Sequence, residues 1–180
     1  TALDNCSVAS VIATPASLAL GANTVTWTAT DGSGKTQTAS QIVTVTDNVK
    51  PTITAPANVN VTTNTACTAT GVVLGTPATA DNCSVANVTN DHPSTTYPLG
   101  STTVIWTVTD GSGNTQTAIQ IVTVTDNVKP TISCPGNLTP NVGIGTCTAS
   151  VATSSPTTAD NCTVTKLTWT LTGATTGASA

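Results

Sequence analysis

TVIWTVTDGSGNTQTAIQIVTVTDNVKPTI, residues 103–132, decides the fold. Within Thr103–Thr109, Val104, Trp106 and Val108 share one face; Thr103, Ile105, Thr107 and Thr109 share the other. A period of two is that of a pleated strand with one buried and one wet face. Asp110-Gly-Ser-Gly-Asn114 follows, made of residues that favour turns and tolerate positive φ. Thr115–Thr125 then reads as the returning strand, with Val122 and Val124 on one face. The two strands predict a β-hairpin.

The same run occurs twice. Thr24–Ile53 reads TVTWTATDGSGKTQTASQIVTVTDNVKPTI, which places Val25, Trp27 and Ala29 on the inward face of an earlier strand. Asp-Asn-Cys stands at Asp4–Cys6, Asp81–Cys83 and Asp160–Cys162, in steps of 77 and 79 residues. The chain therefore reads as a tandem array with a period of about 78 residues. Residues 1–46 are the C-terminal part of a first repeat, 47–125 a complete repeat, and 126–180 the N-terminal part of a third. Both partial repeats contain Asp-Asn-Cys, so the expectation is a window on a longer polymer. Tandem copies suit a spacer, a fibre or a multivalent binder. An active site needs only one copy, so the expectation is no enzyme.

Within the complete repeat, Thr52–Thr54 and Asn58–Thr62 read as short strands split by Ala55-Pro56, where proline suits an edge or a strand switch. Cys67–Leu74 and Val85–Thr89 read as further strands, and Pro93, Pro98 and Gly100 punctuate the loop before the hairpin. No window carries helical apolar spacing. About seven short strands per repeat predict an all-β chain of tandem immunoglobulin-like antiparallel β-sandwiches. Trp27 and Trp106 fill one inward slot and are expected in the core; Trp169, alternating with Leu167 and Leu171, is expected there too.

Composition narrows the function. Nearly a quarter of the chain is Thr, and Phe, Met, Arg and Glu are absent. Thr and Val favour pleated strands. Four Lys against eight Asp leave a net charge of −4, which opposes nucleic-acid binding. No apolar run is long enough to span a membrane. Six Cys with a single His and no paired C-x-x-C point to disulfides and an oxidising compartment. Cys67 and Cys83, the two cysteines of the complete repeat, are expected to pair, and Cys147 with Cys162 likewise. Each would close a loop of about 15 residues, a staple of roughly 3 kcal/mol. Cys6 would pair before residue 1. Cys134 holds the Ala55 slot, and its partner is expected beyond residue 180, at the slot of Ala118.

VTVTDNVKPTI, Ser133–Asn137 (SCPGN), ATADNC, YPLGSTTVIWTVTDGSGN and TLTGATTG together resemble the hyalin repeat, or HYR, domain over essentially the whole chain. That family is an immunoglobulin-like extracellular module of echinoderm adhesion layers, animal matrix proteins and long bacterial surface proteins. The Thr-rich, Arg-free style is most similar to the bacterial repeats. The resemblance implies adhesion or extracellular structure at a cell surface. The complete repeat departs from the family at Ala55 and Ala118, where the family's usual bridge stands.

Seven of the eight Asp fall in repeated motifs: Asp4, Asp81 and Asp160 in Asp-Asn-Cys, Asp31 and Asp110 in Asp-Gly-Ser-Gly, Asp47 and Asp126 in Thr-Asp-Asn. Such residues cap turns with their own side chains. They also suit calcium, a hard cation that takes oxygen ligands. Asp47, Asn48, Asp110, Asp126 and Asn127 are the candidate ligands at the repeat junctions; no other cofactor is required. His92, beside Asp91, has no nucleophile motif near it and reads as a loop residue. Sequons stand at Asn5, Asn60, Asn82, Asn87, Asn137 and Asn161. The expected role is the stalk of an adhesin or a surface filament, with neighbouring repeats as partners. The alternatives are a multivalent module for carbohydrate or protein, and a self-assembling fibre subunit.

Overall fold

The computed structural model describes residues 2–5, 7–170 and 172. The described residues are all-β, without a helix. β1 (Val8–Thr14), β2 (Gly21–Asp31) and β3 (Thr36–Val45) form an antiparallel sheet in that order. Eight strands lie in 47–125: β4 (Thr52–Thr54), β5 (Val59–Thr62), β6 (Thr68–Ala69), β7 (Ala78–Ala80), β8 (Val85–Asn90), β9 (Tyr97–Pro98), β10 (Gly100–Asp110) and β11 (Thr115–Thr125). Their main sheet has the order β5-β11-β10-β8; β4 pairs with β7 and β6 with β9. β12 (Thr131–Ser133) pairs with β13 (Thr157–Ala159). Several small sheets of short strands are the arrangement of an immunoglobulin-like β-sandwich.

The expectation of a purely antiparallel sandwich needs one correction. β5 runs parallel to β11, with Val59 opposite Val122 and Val61 opposite Val124. The reason lies in residues 52–62. β4 pairs antiparallel with β7. Pro56 then offers no N–H to extend that ladder. The chain continues in the same direction and joins the main sheet beside β11. The strand expected over Cys67–Leu74 is also shorter, because only Thr68 and Ala69 pair with β9. Gly71 (φ 73°) turns the chain away, and Val72 donates its N–H to Thr95 O at 3.0 Å.

The chain divides into two compact units. The first comprises residues up to Thr54, Pro77–Thr89 and Trp106–Ala118; the second comprises Ala55–Thr76, Asn90–Ile105 and Ile119 onward. In the first, Pro51, Trp106 and Val108 are buried. In the second, Ala69, Val72, Tyr97, Val104, Val122 and Val124 make the core, while Ile105, one residue out of phase with Val104, is exposed. Gln120 is also fully buried there. Its amide donates to Ala57 O (2.7 Å) and Leu74 O (2.8 Å), so it satisfies carbonyls of two irregular segments.

Trp27 is not a core residue, contrary to expectation. It is 42% exposed, and its indole N–H donates to Gln41 Oε1 at 3.0 Å. Val11, Ala29 and Ala39 flank it in an open hollow on the β1-β2-β3 sheet. Val25, two residues before it on the same face, is buried. Trp169 is likewise 52% exposed; its expected neighbour Leu171 lies outside the described residues.

Candidate functional site

Asp47, Asp81 and Asp110 converge in the first unit, with a carboxylate oxygen of each inside a 4.8 Å cluster. Three local structures put them there. Asp110 ends β10, and its Oδ1 accepts the N–H groups of Ser112 (2.9 Å) and Asn114 (2.7 Å), which folds the Asp-Gly-Ser-Gly turn around it. Gly111 stands next because a Cβ there would lie 2.7 Å from Ser84 Oγ. Asp81 Oδ2 accepts from the N–H groups of Cys83 and Ser84, both at 2.9 Å. Asp47 Oδ1 accepts from Val49 N–H (3.0 Å) and from the Asn82 amide (3.3 Å). Asn114 ties the linker to the turn: its amide donates to Asp110 Oδ2 (2.7 Å) and Asp47 O (3.1 Å).

Those bonds occupy one oxygen each of Asp47 and Asp81. Asp47 Oδ2 and Asp81 Oδ1 are buried and have no hydrogen-bond partner. Asp47 is 9% exposed and Asp110 only 2%. Burial pushes the Asp110 pKa up, but the bonds from the Asn114 side chain and from backbone at Asn114, Ser112 and Gly113 outweigh it, so its carboxyl is held below the ordinary value. Three close carboxylates with two orphaned oxygens fit a hard cation. Calcium–oxygen distances of about 2.3–2.6 Å put opposed ligands roughly 5 Å apart, the scale of this cluster.

A second cluster, Asp126, Asp160 and Cys162, lies in the second unit. Asp160 Oδ1 accepts from Cys162 N–H at 2.8 Å, and Asp126 Oδ1 from Val128 N–H at 3.0 Å. Here the group is covered by the turn 63–67. Asn161 donates to Thr63 Oγ1 (3.1 Å), Ala66 O (3.2 Å) and Asp126 Oδ1 (3.3 Å). Thr63 Oγ1 donates to Asp126 Oδ1 at 3.4 Å. Asn64 closes that turn by bonding both the N–H and the C=O of Thr70. Ala66 adopts φ 49°, a left-handed conformation costly for a side chain with Cβ, and this aims its carbonyl at Asn161.

Cys67 and Cys162 are disulfide-bonded, with Cα atoms 4.7 Å apart and 95 residues between them in sequence. Both expected pairings, Cys67–Cys83 and Cys147–Cys162, are therefore corrected. Cys83, Cys134 and Cys147 are exposed free thiols. Cys83 is held in the Asp81 loop of the first unit, whereas Cys67 sits on a turn of the second, fixed by Leu99 N–H to Cys67 O at 3.0 Å. A bonded sulfur is no ligand for a hard cation, so the second cluster has two carboxylates to offer. Cys6 lies outside the described residues.

Of the expected ligands, Asp47 and Asp110 come together, and Asp126 heads the second cluster. Asn48 and Asn127 are exposed and belong to neither. The residues that sequence reasoning missed are Asp81, Asp160, Asn82, Asn161 and Asn114. The threefold Asp-Asn-Cys motif was the available signal, since its Asp and Asn recur with its Cys. His92 stacks on Tyr97, with ring centroids 4.2 Å apart, and joins no cluster.

Residues 46–124 match the family model of the HYR domain. The chain is also similar to Hyalin of Strongylocentrotus purpuratus, 33% identical over 89 residues. That alignment covers 47% of this chain and 7% of Hyalin. The aligned segment spans a small fraction of that relative.

Proposed function

We propose that this chain is part of the shaft of an extracellular adhesive or structural protein, in which repeats run head to tail and carry no catalysis. The observation that carries this reading is the seating of Asn161 and Cys162 on Thr63–Cys67. Asn161 and Cys162 belong to the third repeat; the turn belongs to the complete repeat before it. Three hydrogen-bonded groups and a covalent bond at such a contact oppose bending and pulling. The HYR match and the likeness to Hyalin support an extracellular, adhesion-type module.

Calcium is the second part of the proposal. Asp47 Oδ2, Asp81 Oδ1 and the Asp110 carboxylate would hold it. The ion would supply positive charge that relieves mutual repulsion and ties the linker residue Asp47 to two loops. Asn114 and Asn82 keep the carboxylates aimed, and the buried Pro51 limits the linker's freedom. No helix among the described residues is long and apolar enough to cross a membrane.

Electron microscopy of the full chain tests the shaft, and thermal melting with and without a calcium chelator tests the ion. The expected result is a row of small beads whose melting temperature falls on chelation. A single rounded particle would overturn the shaft; a melting temperature indifferent to calcium would overturn the ion.

A further inference from the structure

The Asp81-Asn82-Cys83 loop is built like Asp160-Asn161-Cys162. Asp81 Oδ2 accepts from Cys83 N–H at 2.9 Å where Asp160 Oδ1 accepts from Cys162 N–H at 2.8 Å. Asn82 reaches Asp47 Oδ1 at 3.3 Å where Asn161 reaches Asp126 Oδ1 at 3.3 Å. Each asparagine amide also approaches the sulfur of the following cysteine, at 3.3 Å and 3.7 Å. The difference is cover. Asn161 and Cys162 are half-buried beneath the turn 63–67, whereas Asn82 and Cys83 are exposed. Asp47 Oδ2, buried behind this exposed loop, has no hydrogen-bond partner.

We propose that the Asp81-Asn82-Cys83 surface receives the 63–67-type turn of another repeat, and that Cys83 forms a disulfide with the cysteine in the Cys67 slot of that turn. Cys67 of its own repeat is already bonded to Cys162 and has no second valence to offer. Cys147 holds the Cys67 slot in the third repeat and is an exposed thiol. It is the donating half for a further Asp-Asn-Cys loop. Each repeat then gives one cysteine backward and one forward, and every junction carries one bridge. The inference rests on the head-to-tail reading above.

The bond forms by thiol–disulfide exchange. Two thiols lose two protons and two electrons and join sulfur to sulfur. The electrons pass to the disulfide of a thiol oxidoreductase, which leaves as a dithiol. Beside the backbone linker, the bridge adds a second covalent tie to a contact otherwise held by hydrogen bonds, so pulling would have to break it before the two loops part.

Cleavage before aspartate separates the cysteines: Cys67 falls in peptide 47–80, Cys83 in 81–90 and Cys162 in 160–180. The oxidised chain, alkylated without reduction, is expected to yield 47–80 joined to 160–180, with 81–90 alkylated. Peptide 47–80 joined to 81–90 instead would overturn the proposal. A second chain carries an added copy of 47–125 ahead of 47–180, which restores a repeat before Cys83. There half of peptide 81–90 is expected to be joined to 47–80. Cys67→Ser in the added copy alone should double the free share of 81–90; no change would overturn the bridge. Beads in a row with Cys83 still free would sink the bridge and leave the shaft standing. Bridged Cys83 in a chain that forms no row would sink the shaft alone.

Discussion

Asn161 donates its side-chain amide to the carbonyl of Ala66 at 3.2 Å, and each residue immediately precedes one half of the Cys67–Cys162 bridge. The hydrogen bond and the disulfide therefore act on the same two loops. Reduction removes only the covalent part. Asn161→Ala removes bonds to Thr63, Ala66 and Asp126, worth about 1–2 kcal/mol together after exchange with water. In reducing buffer, amide exchange in the turn 63–67 should rise roughly tenfold in the variant. An unchanged rate would show that the turn is held by the fold of its own segment.

Asp81→Asn should behave in opposite senses with and without calcium. The asparagine oxygen can still accept from Cys83 and Ser84, as Asp81 Oδ2 does. In chelator the variant loses one of three crowded negative charges and should be as stable as the parent or more so. With calcium it loses a ligand oxygen carrying charge, and affinity should fall about tenfold or more. Saturating calcium at 100 times its dissociation constant stabilises the parent by about 2.7 kcal/mol, readable as a rise of roughly 10 °C or more in melting temperature. Calorimetric titration checks the affinity. Equal affinity in the two proteins would remove Asp81 from the site.

Gln120→Leu tests the buried amide. The variant keeps the volume but leaves Ala57 O and Leu74 O without their donor. Two part-buried carbonyls deprived of this donor should cost about 1–2 kcal/mol. Denaturant unfolding is the measurement. A change below about 0.5 kcal/mol would mean that water replaces the amide.

Tyr97 sets an alkaline limit. It is fully buried and its hydroxyl has no hydrogen-bond partner. Burial first, and the Asp91 charge second, push its pKa above the ordinary value. The folded state thus favours the neutral phenol. Its contribution is fully present below the unfolded pKa of about 10, and is lost as pH rises through the folded value. Tyr97 is the single tyrosine, so phenolate absorbance reports it alone. Ionisation should coincide with unfolding, and Tyr97→Phe should abolish that part of the alkaline loss. Titration near 10 with the fold intact would contradict the burial argument.

Residues 103–125 were legible because the signal is local. Alternation in Val104, Trp106 and Val108, and the turn at Asp110–Asn114, are properties of neighbouring side chains on one strand pair. The structure buries those three residues and opens β11 at Thr115. Pro56 as a strand switch was legible for the same reason, since a missing N–H ends a ladder wherever it stands. That β5 then joins β11 in parallel was not legible, because strand direction depends on where the chain is carried afterwards. Trp27 and Trp106 share one sequence context and differ in burial, because cover comes from residues far away in the chain.

By itself the sequence determined the all-β character, the recurrence of its motifs and the placing of Asp and Asn in turns. Period-two patterning and turn chemistry act over a few residues, and the sequence displays them directly. Tertiary structure alone decided which cysteines meet and which carboxylates converge. Cys67 found Cys162 across 95 residues, while Cys83, much nearer in sequence, did not bond to it. Asp47 met Asp81 and Asp110 rather than the adjacent Asn48. Pairing depends on the spatial approach of loops, and separation along the chain does not measure that.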